Sequence, residues 1–139
     1  PEGWAQVSLA EIGTLFCGQS PTVADVNTIG DGTPYVTGPD HWDGTTLAVT
    51  KWTTSPKRLV PAGCMFITVK GAGVGTIFPG IECAIGRDVY AFLPTSGISS
   101  KFVEHVTRFT IQEMLRKAVG DIPGLSKSHI LDHLVRLPP

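Results

Sequence analysis

Paired cysteines, long apolar runs and early positive charge are all missing from this chain. Cys17, Cys64 and Cys83 are odd in number and widely spaced, so they make neither a disulfide framework nor a zinc site, and free buried thiols in a reducing cytosol are expected. No window approaches the roughly 18 apolar residues of a membrane span. A cytoplasmic protein with no membrane partner is therefore expected. The first basic residue is Lys51, which leaves no basic n-region for a signal peptide, and position 1 is Pro rather than Met, which predicts a processed or excised piece. With 139 residues, 42% of them hydrophobic, the chain is expected to bury one core as a single domain without metals or disulfides.

Charge is also unevenly missing. Residues 1–43 carry Glu2, Glu11, Asp25, Asp31, Asp40 and Asp43 with no Lys or Arg, a local charge of −6. Residues 44–81 carry Lys51, Lys57, Arg58 and Lys70 with no Asp or Glu, a local charge of +4, inside a chain of net charge −1. Such segregation can present a basic face on a nearly neutral protein, or folding can interleave the two blocks and cancel the field.

Catalytic constellations are scarce. His129 and His133 are four apart but lack a third ligand and a following Glu, which points to solvent-exposed helix histidines. His41 lies between Asp40 and Asp43 with no serine or cysteine elbow to activate, which points to a surface loop. No acidic residue is followed two positions later by Lys, as a restriction-nuclease metal site requires. The sole asparagine, Asn27, is followed by Thr28-Ile29 rather than the Pro-Pro-aromatic of an amino-methyltransferase. A non-catalytic protein with no metal or cofactor of its own is expected.

What the chain does have is Lys70-Gly71-Ala72-Gly73-Val74-Gly75-Thr76, three alternating glycines between the apolar runs Cys64–Val69 and Thr76–Phe78. A Rossmann fingerprint is excluded because the glycine spacing is wrong and no helix follows, and a P-loop because the lysine precedes the glycines. A β-hairpin remains, with a tip stripped of side chains. The tip can let a polyanion or base edge approach the peptide groups, or it can be a hairpin connection and nothing more.

The rest reads as an α+β domain, with several short, mostly antiparallel strands in the N-terminal two-thirds and helices near the C-terminus. Trp4–Phe16 predicts a strand, a turn and a second strand; residues 22–34 a loop; Pro34–Thr37 a buried strand; Thr45–Thr54 and Glu82–Leu93 further strands. Period 3.6 begins after Ser99, a candidate N-cap, and its apolar trio (Phe102, Val106, Phe109) and quartet (Ile111, Met114, Leu115, Ala118) project to opposite sides. Either one helix is sandwiched or two helices meet near Thr107–Thr110. A stop is expected at Gly120–Gly124, then a short helix capped by Ser126 and a final strand over Leu134–Leu137.

Several fragments recur in a familiar order: Trp4–Ile12, Gly18-Gln19-Ser20-Pro21, Gly32–Thr37, Val60-Pro61-Ala62-Gly63, Lys70–Gly75, Ala84-Ile85-Gly86-Arg87, Ile122–Lys127 and Arg136-Leu137-Pro138-Pro139. Together they span nearly the whole chain, and in this order they resemble a target recognition domain of the DNA specificity subunit of type I restriction-modification systems. The resemblance implies one of two such domains, with a spacer helix and a second domain beyond residue 139. It implies sequence-specific recognition of one half of a bipartite site in double-stranded DNA. Modification methyltransferase subunits would bring S-adenosylmethionine chemistry, and a restriction/translocase subunit would bring ATP-driven translocation and cleavage.

In that role, Lys70, Gly71, Gly73 and Thr76 suit phosphate or close groove approach, and Lys51, Lys57 and Arg58 suit the flanking strands. Arg87 is either a bidentate guanine reader or the ion-pair partner of Glu82 or Asp88. Gln19, Ser20, Tyr35 and Lys127, the last at a helix N-terminus, complete the candidate DNA contacts. Segments 22–33 and 38–58 carry no transferable role and are where specificity is expected to lie. Two other functions remain open: a recognition domain within a single-chain restriction-methylation enzyme, and a protein-interaction module that binds no DNA.

Overall fold

Eleven short strands, three α-helices and two single-turn 3-10 helices (Val23–Asp25 and Pro39–His41) form among the described residues of the computed structural model, which are 3–118 and 124–139. Strand β1 (Ala5–Ser8) leads through the one-turn helix α1 (Leu9–Ile12) into β2 (Gly13–Cys17). The predicted turn between these strands is that helix: the Glu11 carboxylate accepts the Ser8 backbone N–H at 2.6 Å, and Leu9 and Ile12 are buried. There follow β3 (Val26–Asn27), β4 (Thr33–Val36), β5 (Trp52–Thr53), β6 (Leu59–Val60), β7 (Met65–Thr68), β8 (Ile77–Pro79), β9 (Cys83–Ile85) and β10 (Val89–Pro94). Helices α2 (Ser100–Lys117) and α3 (Lys127–Leu131) precede the last strand, β11 (Leu134–Leu137).

The strands make three sheets, ordered β1-β11, β2-β10-β7-β8 and β3-β5-β4-β9-β6, and β4–β9 alone is a parallel pair among them. The four-stranded sheet lies in the middle. Met65, Ile67, Val69, Ile77 and Phe92 pack with Val103, Ile111 and Met114 of α2 and Ile130 of α3, while Phe66, Phe78, Val89 and Ala91 pack with Val36, Val60 and Ile85 of the five-stranded sheet. Burial on both faces explains why Cys64–Val69 reads as a continuous apolar run rather than an alternating one. The α+β architecture agrees with the sequence expectation.

Three local expectations are corrected. Glu82–Leu93 is two strands, because the chain leaves the five-stranded sheet after Ile85, turns through Gly86-Arg87-Asp88 and joins the four-stranded sheet at Val89. Thr45–Thr54 yields only β5. The Asp43 carboxylate takes the N–H groups of Thr45 (2.8 Å) and Thr46 (2.6 Å), and Ala48 N–H donates to His41 O (2.8 Å), so local turns hold the backbone that a longer strand would need. Residues 100–117 form one helix, capped by Ser99, whose Oγ accepts Phe102 N–H at 3.1 Å. It is not sandwiched: one face is buried, and Phe109 on the other is 90% exposed. The predicted stop at Gly120–Pro123 lies outside the described residues.

The two sequence blocks meet in one sheet. Strands β3 and β4 come from the acidic block and β5 from the basic one, and β5 sits between them. The two sequence blocks therefore share the five-stranded sheet, and these three strands themselves carry no charged residue.

Candidate nucleic-acid interface

The glycine-rich segment is the tip of the β7–β8 hairpin, whose register pairs Met65 with Pro79, Phe66 with Phe78 and Ile67 with Ile77. Gly71, Gly73 and Gly75 have φ of 81°, 83° and 90°, a left-handed conformation that residues with a Cβ rarely adopt. Lys70 to Gly73 are exposed, and the second half of the loop is half-buried. There Gly75 N–H donates to Thr68 O (2.8 Å) and Thr76 N–H to Gly73 O (2.9 Å), so these two donors are spent inside the loop. A methyl group at Gly73 would stand 2.8 Å from the Pro39 ring, and one at Gly75 would stand 3.1 Å from Leu115. The glycine spacing thus serves packing as well as backbone exposure, a role that the sequence alone did not reveal.

Hydrogen bonds gather four further segments at this end of the molecule. Val69 N–H donates to Asp88 O (2.8 Å), which ties the hairpin to the Gly86–Asp88 turn. Arg87 N–H donates to Ser20 Oγ (3.1 Å) and Gln19 N–H to Ile85 O (3.1 Å), which adds the Gly18–Ser20 loop. Gly86 N–H donates to Val36 O (3.0 Å), and Leu125 N–H to Val69 O (2.8 Å). Segments distant in sequence are thereby locked to one another around exposed Lys70, Arg87, Gln19 and Ser20, with exposed Lys127 two residues beyond Leu125.

The other candidates fall in different settings. Tyr35 is 6% exposed and its hydroxyl lies against Gly86, so it supports the loop cluster from beneath rather than offering a surface. Arg58 Nε donates to Cys17 O at 3.0 Å, which commits part of its guanidinium to holding the strand before Gly18. Lys51 is half-buried beside Tyr35, whose N–H donates to Lys51 O (2.9 Å), and Lys57 is exposed before β6; no side-chain bond joins either to the cluster among the described residues. The N-terminus of α3 is closed by its own cap, with Ser126 Oγ accepting His129 N–H (3.3 Å) and His129 Nδ1 accepting Ser126 N–H (3.0 Å). Arg87 pairs with neither Glu82 nor Asp88, since Glu104–Arg108 is the one ion pair among the described residues.

Two histidine expectations are overturned. His41 is buried, with Nε2 3.2 Å from Thr37 Oγ1 and Nδ1 3.1 Å from Ala48 O. His133 is 3% exposed, lies beyond the end of α3, and has Nε2 2.7 Å from Thr110 Oγ1, so it shares no exposed helix face with His129. Burial lowers the His133 pKa below 6.5; Glu113 opposes the shift and Lys117 reinforces it. Below pH 6.5 the unfolded chain binds a proton that the folded chain resists, so this contribution to stability is complete above 6.5 and falls as pH drops. Urea midpoints at pH 7.5 and 5.5 are expected to differ more for the parent than for His133→Gln; equal differences would show that His133 is not the source.

Burial pushes the Cys83 thiol up to about 12, with a further contribution from neighbouring Cys64, and the Cys64 thiol up to about 11. Both stay protonated and unreactive at neutral pH. Cys17 is half-buried rather than fully so, and all three are free.

No family model matches this chain, and no curated protein does. Solved structures match across its whole length. The chain superposes on the HsdS subunit from Thermoanaerobacter tengcongensis with a TM-score of 0.83 and 26% identity, covering 100% of this chain and 34% of that one. A structure describing complex assembly and conformational transition of the type I R-M system gives 0.84 and 24%, covering 100% and 35%. The type I restriction-modification S subunit from M. genitalium gives 0.72 and 18%, covering 99% and 35%. The chain therefore spans about a third of the length of the chains it matches.

The class of protein follows from these matches: an α+β domain with the architecture of type I restriction-modification specificity subunits. Within that class, its fold is that of a target recognition domain, as the ordered sequence fragments implied.

Proposed function

We propose that this domain reads one half of a bipartite site in double-stranded DNA and directs methyltransferase and restriction subunits of a type I complex, in the cytoplasm, to that site. It would act as one of two such domains joined by a spacer helix. The observation that carries the proposal is the locked cluster of loops with Lys70 and Arg87 exposed and in no ion pair among the described residues, on a fold shared with specificity subunits. Lys70 and Lys127 would neutralise phosphates and set register, while Arg87, Gln19 and Ser20 would face base edges. Chemistry would reside in the associated subunits, with S-adenosylmethionine on the methyltransferases and ATP on the motor; this chain would supply position alone.

About four to eight phosphate contacts are within reach of a domain this size, so log K is expected to fall with log salt at a slope between roughly −4 and −7. Affinity of the isolated domain would be weak and would rise on tethering to a second domain. Titration of a labelled duplex from 50 to 200 mM salt tests this. Lys70→Ala is expected to reduce the slope by about one. Association that ignores salt, or a Lys70→Ala chain indistinguishable from the parent, would count against DNA recognition.

A further inference from the structure

Building on the DNA-recognition role above, we propose that Asp88 is a specificity-determining residue that accepts a hydrogen bond from the exocyclic amino group of cytosine. The Gly86-Arg87-Asp88 turn is held at every residue. Gly86 N–H donates to Val36 O (3.0 Å), Arg87 N–H to Ser20 Oγ (3.1 Å), Val89 N–H to Gly86 O (3.1 Å) and Val69 N–H to Asp88 O (2.8 Å). A backbone so fixed sets the point and direction from which the two side chains leave the turn. Yet neither side chain is used within the fold: among the described residues Asp88 makes no ion pair and its carboxylate accepts no hydrogen bond, while Arg87 is exposed and also unpaired.

The Asp88 carboxylate lies at the mouth of the hairpin tip, with Oδ2 3.7 Å from where a Cβ on Gly71 would stand, next in sequence to Lys70. A free carboxylate on a surface that meets phosphates is repelled by them. Its use there is to accept a hydrogen bond from a base, and in the major groove the amino group at N4 of cytosine is the donor that acidic side chains recognise. Arg87 beside it offers the complementary donor pair for guanine O6 and N7. One rigid turn thus presents an acceptor and a double donor side by side, suited to a G·C-containing step.

Selection from a randomised duplex pool at low salt, with the 139-residue chain and with Asp88→Asn, provides the test. The parent is expected to enrich a motif with one invariant cytosine. Asp88→Asn keeps an acceptor and adds a donor, as adenine recognition requires, so preference at that column is expected to shift from cytosine toward adenine by about tenfold or more while the other columns stay unchanged. Asp88 is half-buried, so thermal unfolding of Asp88→Asn is compared with the parent, and an unchanged midpoint is expected. An unchanged motif bound more tightly overall would overturn the assignment, because Asp88 would then act only through its charge. Failure of the parent to enrich any motif would overturn both this inference and the DNA-recognition role.

Discussion

Gly18→Ala is expected to unfold much of the loop end of this domain. A methyl group at position 18 would stand 1.8 Å from Gly86 O and 2.3 Å from Val89 O, and both are backbone atoms of the turn that joins the two sheets. No rotamer change relieves such a clash, so the strand end and the turn must separate. The bonds from Gln19 N–H to Ile85 O and from Arg87 N–H to Ser20 Oγ would go with them. A loss of about 3 kcal/mol or more is expected, at the upper end of overpacking costs, and DNA binding is expected to fall in parallel. Gly30→Ala is the control. Gly30 has φ of 82° but nothing within 4 Å of the added carbon, so only conformational strain of about 1 kcal/mol applies. Equal melting temperatures for the two variants would refute the close approach of residues 18 and 86.

Phe66→Ala should be the second large loss, about 3 to 5 kcal/mol. Phe66 is fully buried on β7, its ring centroid is 5.6 Å from that of Phe78 in an edge-on arrangement at 89°, and its ring lies against Gly80. Removing it opens a void between the two sheets that neighbouring β-branched side chains cannot fill without leaving their rotamers. The contrast is Phe109→Ala, at a residue 90% exposed, where a change within about 0.5 kcal/mol is expected. Urea unfolding of the three proteins resolves the difference. Comparable losses for Phe66 and Phe109 would contradict the layer arrangement.

The features legible in the sequence are those governed by neighbours along the chain. Ser99 caps α2 and Ser126 caps α3 because a hydroxyl reaches an N–H three residues on, which spacing alone reveals. The β7–β8 hairpin was visible because its glycines fall where a tight connection needs positive φ. Less legible was the candidate interface. Gln19, Ser20, Lys70 and Arg87 stand out one at a time, whereas Tyr35 reads as a candidate contact although it lies on a strand expected to be buried, and Asp88 reads only as an ion-pair partner for Arg87. The histidines mislead for the same reason: an i, i+4 pair looks like one helix face unless the helix is known to end between them, as α3 does at Leu131.

By itself, the sequence determined the strand-rich beginning, the helical end, the caps and the glycine hairpin, because these depend on periodicity and on contacts within a few residues. Only the tertiary structure decided that the chain changes sheets at Gly86, that acidic and basic blocks share one sheet, and that His41 and His133 lie inside. It also decided that Gly18–Ser20, Val36, Lys70–Gly75, Gly86–Asp88 and Leu125 meet at one end. Those outcomes rest on hydrogen bonds and packing between residues dozens of positions apart, and such pairings leave no periodic trace in the order of the amino acids.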